Sequence, residues 1–185
     1  MFRFEAFCVT LLGAASISFC HAQTFGFGKP ASEREIAGWN IEVSPDGKGL
    51  PPGSGTGSSG KPLYERHCAA CHGMKGEGKP ADRLVGGRGT LNTDRPVMTV
   101  GSFWPYATTL YDYINRSMPF NAPQSLKPDE VYAVAAYVLF LNGIIQENEA
   151  MDAASLPRVE MPNRKGFVPD PRPDLHNPSC RFDCR

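Results

Sequence analysis

The chain has 185 residues, which fits one domain of ordinary size with extensions. Its 19 basic and 19 acidic residues balance, so the formal net charge at pH 7 is zero. No basic stripe stands out, which excludes the charge pattern typical of proteins that bind nucleic acid or a charged membrane surface.

Residues 1–22 have the pattern of a secretory signal peptide. Arg3 precedes an apolar run over 6–19, and Ala22 is a small residue before a cleavage point at Gln23. The run is shorter than the roughly 20 residues that a spanning helix needs, so we expect no membrane span. A lipoprotein anchored at Cys20 is an alternative, which the bulky residue before that cysteine disfavours. A cleaved signal predicts that the mature chain is periplasmic.

Residues 23–59 are rich in Gly, Pro and Ser and predict an extended arm that cannot fold alone. The sequence Ser-Glu-Arg-Glu at 32–35 matches a capping box, which predicts a short helical turn ending near Gly38. Trp39, Ile41 and Val43 then alternate with polar residues and predict a short strand. The apolar face of this arm would lie either on its own domain or on a partner protein.

The most specific chemical pattern in the chain is Cys-Ala-Ala-Cys-His at 68–72. Two cysteines three residues apart and followed directly by histidine form the c-type haem attachment motif. Cys68 and Cys71 would each form a thioether to a haem vinyl group, and His72 would bind the iron as an axial ligand. The motif occurs once, so the sequence predicts one covalently bound haem c.

Two other uses of paired cysteines fit less well. A thioredoxin-like dithiol would follow a strand, and residues 60–64 do not have a strand pattern. A zinc site would need a second ligand pair, and Cys180 and Cys184 lie over a hundred residues away. In an oxidising periplasm those two cysteines would pair with each other, with free thiols as the alternative.

Residues 60–71 predict the first helix of the haem domain, and a glycine-rich loop follows the motif over 73–80. We expect the carbonyl group of Pro80 to accept a hydrogen bond from the second ring nitrogen of His72. Such a bond fixes the tautomer and makes the imidazole a more basic ligand.

Apolar residues over 105–117 fall on one helical face and predict a helix that ends at Met118. Because Pro119 follows, Met118 is disfavoured in the helical conformation and should leave the helix abruptly, with its sulfur free to face the iron. We therefore predict Met118 as the second axial ligand, with Met98 as the less favoured alternative. With both axial positions filled, the iron would transfer electrons and bind no substrate, so we expect no catalytic residues.

Residues 127–141 predict a final helix that is apolar on all sides. One of its faces should cross the first helix, where small residues permit a close approach. A partner could cover another face. The small residues are Ala133, Ala135 and Ala136. The Pro-rich tail covers 146–185, and its part over 155–185, which contains six prolines, is expected to form neither helix nor sheet core. It would be disordered or would dock as an extended strap, with Met161, Phe167 and Val168 as anchors.

The haem motif, the Met-Pro pair and the last aromatic-rich helix resemble class I cytochromes c over about 60–143. Longer strings resemble the cytochrome c subunit of the Sox sulfur dehydrogenase, the SoxD type: LVGGRG at 84–89, VGSFWPYATTL at 100–110, NRSMPFNAPQSL at 115–126 and MPNR at 161–164. The resemblance implies an all-α fold, with a single class I cytochrome c domain over 60–145 between the Gly/Pro-rich arm and the Pro-rich tail.

The same resemblance implies a periplasmic electron-transfer subunit. Its partner would be a molybdenum-cofactor subunit that oxidises sulfane sulfur on a carrier protein during thiosulfate oxidation, and a small soluble cytochrome c would accept the electrons. The resemblance also implies that Arg88 and Trp104 contact the haem propionates. Some members carry two haems, whereas this chain has one motif. A cytochrome subunit of a sulfite dehydrogenase and a freely diffusing cytochrome c are the alternatives.

Overall fold

The computed structural model describes residues 27–170, and the regular secondary structure of this part of the chain is mostly helical. The helices are α1 (Glu33–Trp39), α2 (Gly57–His67), α3 (Ala69–His72), α4 (Ala107–Ser117) and α5 (Pro128–Leu141). A short strand, β1 (Ser54–Gly55), pairs antiparallel with β2 (Met151–Asp152), and a 3-10 helix spans Leu156–Arg158. This architecture confirms the predicted all-α fold.

Two predictions concern parts of the chain outside the described residues: the signal peptide, and the pairing of Cys180 with Cys184. Within 27–170, no helix combines the length and the apolar character that crossing a membrane requires.

Helix α5 is the centre of the core, because every residue from Val131 to Leu139 is buried. The helix begins with Pro128 in its first turn, and the N–H of Lys127 donates to the carboxylate of Glu130 at 2.8 Å. Helices α2 and α4 and strand β1 all pack against it. The predicted helix over 127–141 is therefore confirmed. Other parts of this chain cover the face of α5 that a partner was expected to be able to cover.

Helix α2 crosses α5 closely because glycines face the crossing. A Cβ atom at Gly60 would overlap the carbonyl group of Ala133, and one at Gly55 would meet the same residue. Tyr64, one turn after Gly60, is fully buried, and its ring centroid lies 5.2 Å from that of Tyr137. Ala133 is thus the small residue at the crossing.

Helix α2 begins three residues earlier than predicted, inside the segment assigned to the arm. Thr56 and Ser59 form a reciprocal capping box, with N–H to Oγ distances of 3.0 and 3.2 Å, which starts the helix at Gly57. The helix also stops at Cys68, whose φ of −122° interrupts the helical conformation before α3. The prediction of one continuous helix over 60–71 is therefore wrong, although His72 N–H still donates to the carbonyl of Cys68 at 2.9 Å.

The arm divides into an exposed helix and a segment that is hydrogen-bonded to the domain. Helix α1 forms with the predicted capping box between Ser32 and Glu35, and all its residues are exposed. The prediction of a strand over 39–43 is wrong, because Trp39 belongs to α1 and the N–H of Val43 donates to the carboxylate of Asp112 in α4, at 2.8 Å.

Residues 43–55 continue along α4 and α5. Further hydrogen bonds join Thr108 to the carbonyl of Pro45 at 3.3 Å, Tyr132 to the carbonyl of Pro51 at 2.9 Å, and the N–H of Ser54 to Asp129 at 2.8 Å. This half of the predicted arm therefore lies on its own domain.

The first part of the predicted tail also belongs to the core. Met151, Leu156 and Met161 are buried, and they lie in or beside β2 and the 3-10 helix. Strand β2 lies before residues 155–185, but the 3-10 helix falls within them and its Leu156 is buried, so the expectation that they form no helical core is wrong. Among the proposed anchors, Met161 is buried and Phe167 meets the edge of Phe103 at a centroid distance of 5.2 Å, whereas Val168 is exposed.

Candidate functional site

A cavity of about 690 Å³ lies between the helices. Its walls come from α2 and α3, the loops 81–84 and 98–104, α4 with the segment after it, and α5. The volume is within the range typical of cofactor sites. The predicted site residues that line it are Cys68, Cys71, His72, Trp104 and Met118.

The ring of His72 is held by one hydrogen bond. Its Nδ1 lies 2.7 Å from the carbonyl oxygen of Asp82, which can only accept, so Nδ1 carries the proton. Within the described part of the chain, Nε2 has no hydrogen-bond partner. With the proton on Nδ1, the neutral form of the ring has its lone pair on Nε2, which is the form of histidine that binds a metal.

The prediction that Pro80 supplies this carbonyl is wrong. The loop after the motif is tied back to it, with Gly78 N–H donating to the carbonyl of His72 at 2.7 Å and Ala81 N–H to that of Cys71 at 2.9 Å. These two bonds fold the loop back against the motif as far as Ala81. The carbonyl of the next residue, Asp82, is then the one that reaches the ring of His72. Pro80 itself is exposed and lies outside the cavity lining.

Both cysteines of the motif are free thiols on the cavity wall. Cys68 is half-buried, and this burial, together with the nearby Cys71, raises the pKa of its thiol to about 11. The Cys68 thiol is therefore neutral at pH 7 in the chain as described. Two thiols beside a histidine with a free Nε2 form the donor set that covalent haem attachment needs.

Met118 ends α4 in the conformation that its proline neighbour predicts. It has φ −122° and ψ 147°, while its N–H still donates to the carbonyl of Ile114 at 3.0 Å. Met98 lines the same cavity with 62% of its surface exposed, whereas Met74 is outside the lining. The structure thus brings the sulfur-bearing side chains of Met118 and Met98 to the cavity.

Trp104 lies on the cavity wall, with its ring edge-on to Tyr113 at a centroid distance of 5.7 Å. Arg88 lies outside the lining, and its guanidinium donates to the carbonyl of Asn142 at 3.4 Å. The side chain of Asn142 also binds Gly86 N–H at 3.2 Å, which fixes this loop to the end of α5. The structure therefore brings Trp104 to the site and leaves Arg88 outside it.

Sequence reasoning missed two arginines of the lining. Arg66 and Arg83 are exposed residues of the cavity wall, and the Nε of Arg83 donates to the carbonyl of Glu77 at 3.2 Å. Arg66 lies two residues before Cys68 and Arg83 directly after Asp82, so nearness to the motif was the signal that could have found them.

A helical fold around an apolar cavity with this donor set defines a class I cytochrome c. The family described as cytochrome c oxidase, cbb3-type, subunit III matches residues 55–138. The crystal structure of the sulfane dehydrogenase SoxCD from Paracoccus pantotrophus is similar, with a TM-score of 0.76 and 41% identity, over 87% of this chain and 82% of that chain. No curated protein matches the chain.

The chain belongs to the family of cytochrome c subunits of the Sox sulfane dehydrogenase. A cytochrome c domain implies haem c as the cofactor and electron transfer as the function.

Proposed function

We propose that the chain is a periplasmic, monohaem electron-transfer subunit of a molybdenum-dependent sulfane dehydrogenase. The observation that carries the proposal is the cavity that joins Cys68, Cys71, His72 and Met118, in a chain 41% identical to a structure of the sulfane dehydrogenase SoxCD.

Four side chains of the cavity would hold the haem. Cys68 and Cys71 would form the thioethers, and the Nε2 of His72 and the sulfur of Met118 would bind the iron. When bound, the haem iron supplies a one-electron couple, and a methionine ligand favours a relatively high potential. The carbonyl of Asp82 keeps the proton of His72 on Nδ1, which orients the ring and makes Nε2 more basic.

The apolar wall of the cavity would also keep water away from the iron. Leu110, Ile114, Val134 and Val138 line the cavity and are buried. With His72 and Met118 both bound to the iron and water excluded, the site would pass electrons without binding a substrate.

The partner would be a molybdenum-cofactor subunit that oxidises sulfane sulfur held on a carrier protein. Electrons would then pass one at a time through this chain to a small soluble cytochrome c. Helix α1 supports binding to a partner, because it exposes Ile36 and Trp39 and makes no buried contact with its own domain. The signal-like residues 1–22 support the periplasm as the location.

Haem reduction in a reconstituted complex tests this function. The oxidised chain is mixed with its molybdenum subunit, and the absorbance of reduced haem is followed after addition of carrier protein loaded with sulfane sulfur. We expect reduction only when subunit and loaded carrier are both present. Reduction by sulfite without the carrier protein would favour a sulfite dehydrogenase. No reduction by either donor would favour a freely diffusing cytochrome c.

A further inference from the structure

The tail residues 161–167 contact the segment 103–106 on both sides of Trp104. The Nδ2 of Asn163 donates to the carbonyl of Phe103 at 2.7 Å, directly before Trp104. The guanidinium of Arg164 lies 4.3 Å from the centroid of the Tyr106 ring, two residues after it. We call residues 161–167 the tail clamp.

The tail clamp has a defined conformation of its own. Met161 is buried in the core, and the N–H of Arg164 donates to its carbonyl at 3.0 Å. The N–H of Gly166 donates to the carbonyl of Asn163 at 3.0 Å, so successive turns present Asn163 and Arg164 to the domain. Phe167 then packs edge-on against Phe103.

The segment under the tail clamp is part of the cavity wall. Trp104 lines the cavity together with its ring partner Tyr113 in α4. Tyr106 directly precedes α4 and makes no side-chain cap to it, so the tail clamp contacts the segment that leads into this helix. The same helix ends at Met118.

We propose that Asn163 is a positioning residue for the electron-transfer site: with Arg164 it holds Trp104 in the cavity wall and so keeps water out of the haem site. This inference rests on the proposed function, because it places a haem in the cavity. Solvent access is one of the factors that set a haem potential, since water stabilises the more highly charged oxidised form. Loss of the clamp should therefore lower the reduction potential.

The two tryptophans of the chain make a direct test available, because Trp39→Phe leaves Trp104 as the only one. In this background, the full haem-loaded chain is compared with Asn163→Asp, which keeps the shape but removes the donated hydrogen bond. Asn163→Gln keeps the amide, and Lys165→Ala, at an exposed neighbouring position, is the matched control. Tryptophan emission and the reduction potential are measured on each protein.

We expect Asn163→Asp to shift Trp104 emission to longer wavelength, to relieve its quenching by haem and to lower the potential. Asn163→Gln should restore part of each change, and Lys165→Ala should match the parent. Unchanged emission and potential in Asn163→Asp, even with a lower thermal midpoint, would overturn the proposal. If Asn163→Asp does not fold, Arg164→Ala tests the same proposal by the same two measurements, because Arg164 is an exposed member of the clamp.

The proposed function is tested separately in the same samples. The absorption spectrum of the oxidised parent reports whether histidine and methionine bind the iron. A parent without methionine ligation would remove the ligand set proposed above, while the emission difference between the variants would still decide the role of Asn163.

Discussion

His72 and Met118 each owe their position to a neighbouring backbone group. Pro119 forces Met118 out of the helical conformation, and this restriction is local, so it could be predicted from two adjacent residues. The carbonyl that orients His72 depends on how the loop closes on the motif. That closure is set by bonds such as the one between Ala81 and Cys71, which no local pattern specifies, and the prediction of Pro80 therefore failed.

Met118→Ala tests the second axial ligand. We expect loss of the absorption band of methionine-ligated oxidised haem, a lower reduction potential and ready binding of cyanide, because an axial position opens. Met98→Ala is the matched control, because Met98 lines the same cavity but is not the proposed ligand. The absorption spectrum of this variant should not change. An unchanged spectrum in Met118→Ala, or loss of the band in Met98→Ala, would move the ligand role away from Met118.

Tyr111→Phe should stabilise the protein. The Tyr111 hydroxyl is buried without a hydrogen-bond partner among residues 27–170, and an unpaired buried hydroxyl costs about 1–3 kcal/mol. We expect the free energy of unfolding, measured in denaturant, to rise by about 1 kcal/mol.

The control for Tyr111→Phe is Tyr132→Phe. The two rings are 4.5 Å apart, but the Tyr132 hydroxyl donates to the carbonyl of Pro51 at 2.9 Å, so its removal should destabilise by about 1 kcal/mol. Equal destabilisation by both variants would show that Tyr111 has a partner, such as bound water.

At the scale of elements, the helices α1, α4 and α5 were predictable from local signals, whereas the bounds of α2 were not. A capping box marks α1, apolar periodicity marks α4, and a proline at the first turn followed by an unbroken apolar run marks α5. The start of α2 is rich in glycine and serine, which indicates a loop when the segment is considered alone. Gly60 forms helix there because it packs against Ala133, a residue that lies 73 positions away.

Gly60→Ala tests this crossing. The new methyl group would overlap the carbonyl of Ala133, so α2 and α5 must separate, and we expect a loss of about 3 kcal/mol in the free energy of unfolding. Gly38→Ala in α1 is the control, because a Cβ atom there meets nothing within 4 Å. A Gly60→Ala protein as stable as the parent would show that the helices can move apart at no cost.

For the whole molecule, the arm and tail are continuous with the domain over much of their length. Contacts between distant residues, such as Val43 with Asp112, fasten part of the arm to the domain, and composition alone does not specify such contacts. What remains outside is α1, which exposes Ile36 and 87% of Trp39. A helix of seven residues is too short to be stable alone in water, which favours stabilisation by a partner.

Trp39→Ala tests α1 as a docking element. Loss of a tryptophan anchor typically costs about 2 kcal/mol or more, so we expect affinity for the molybdenum subunit to fall by about thirtyfold. The haem spectrum and thermal midpoint should not change. Arg34→Ala, on the same exposed helix, should bind like the parent. Equal affinity of the Trp39→Ala protein and the parent would place the interface elsewhere.

The most direct test of the central claim is the metal content of the native complex. A tagged copy is purified from its native cells, and molybdenum and iron are quantified in whatever co-elutes. The account predicts a second subunit with about one molybdenum for each haem iron. Iron alone, on a chain that runs as a monomer, would contradict it and would make the protein a free electron carrier.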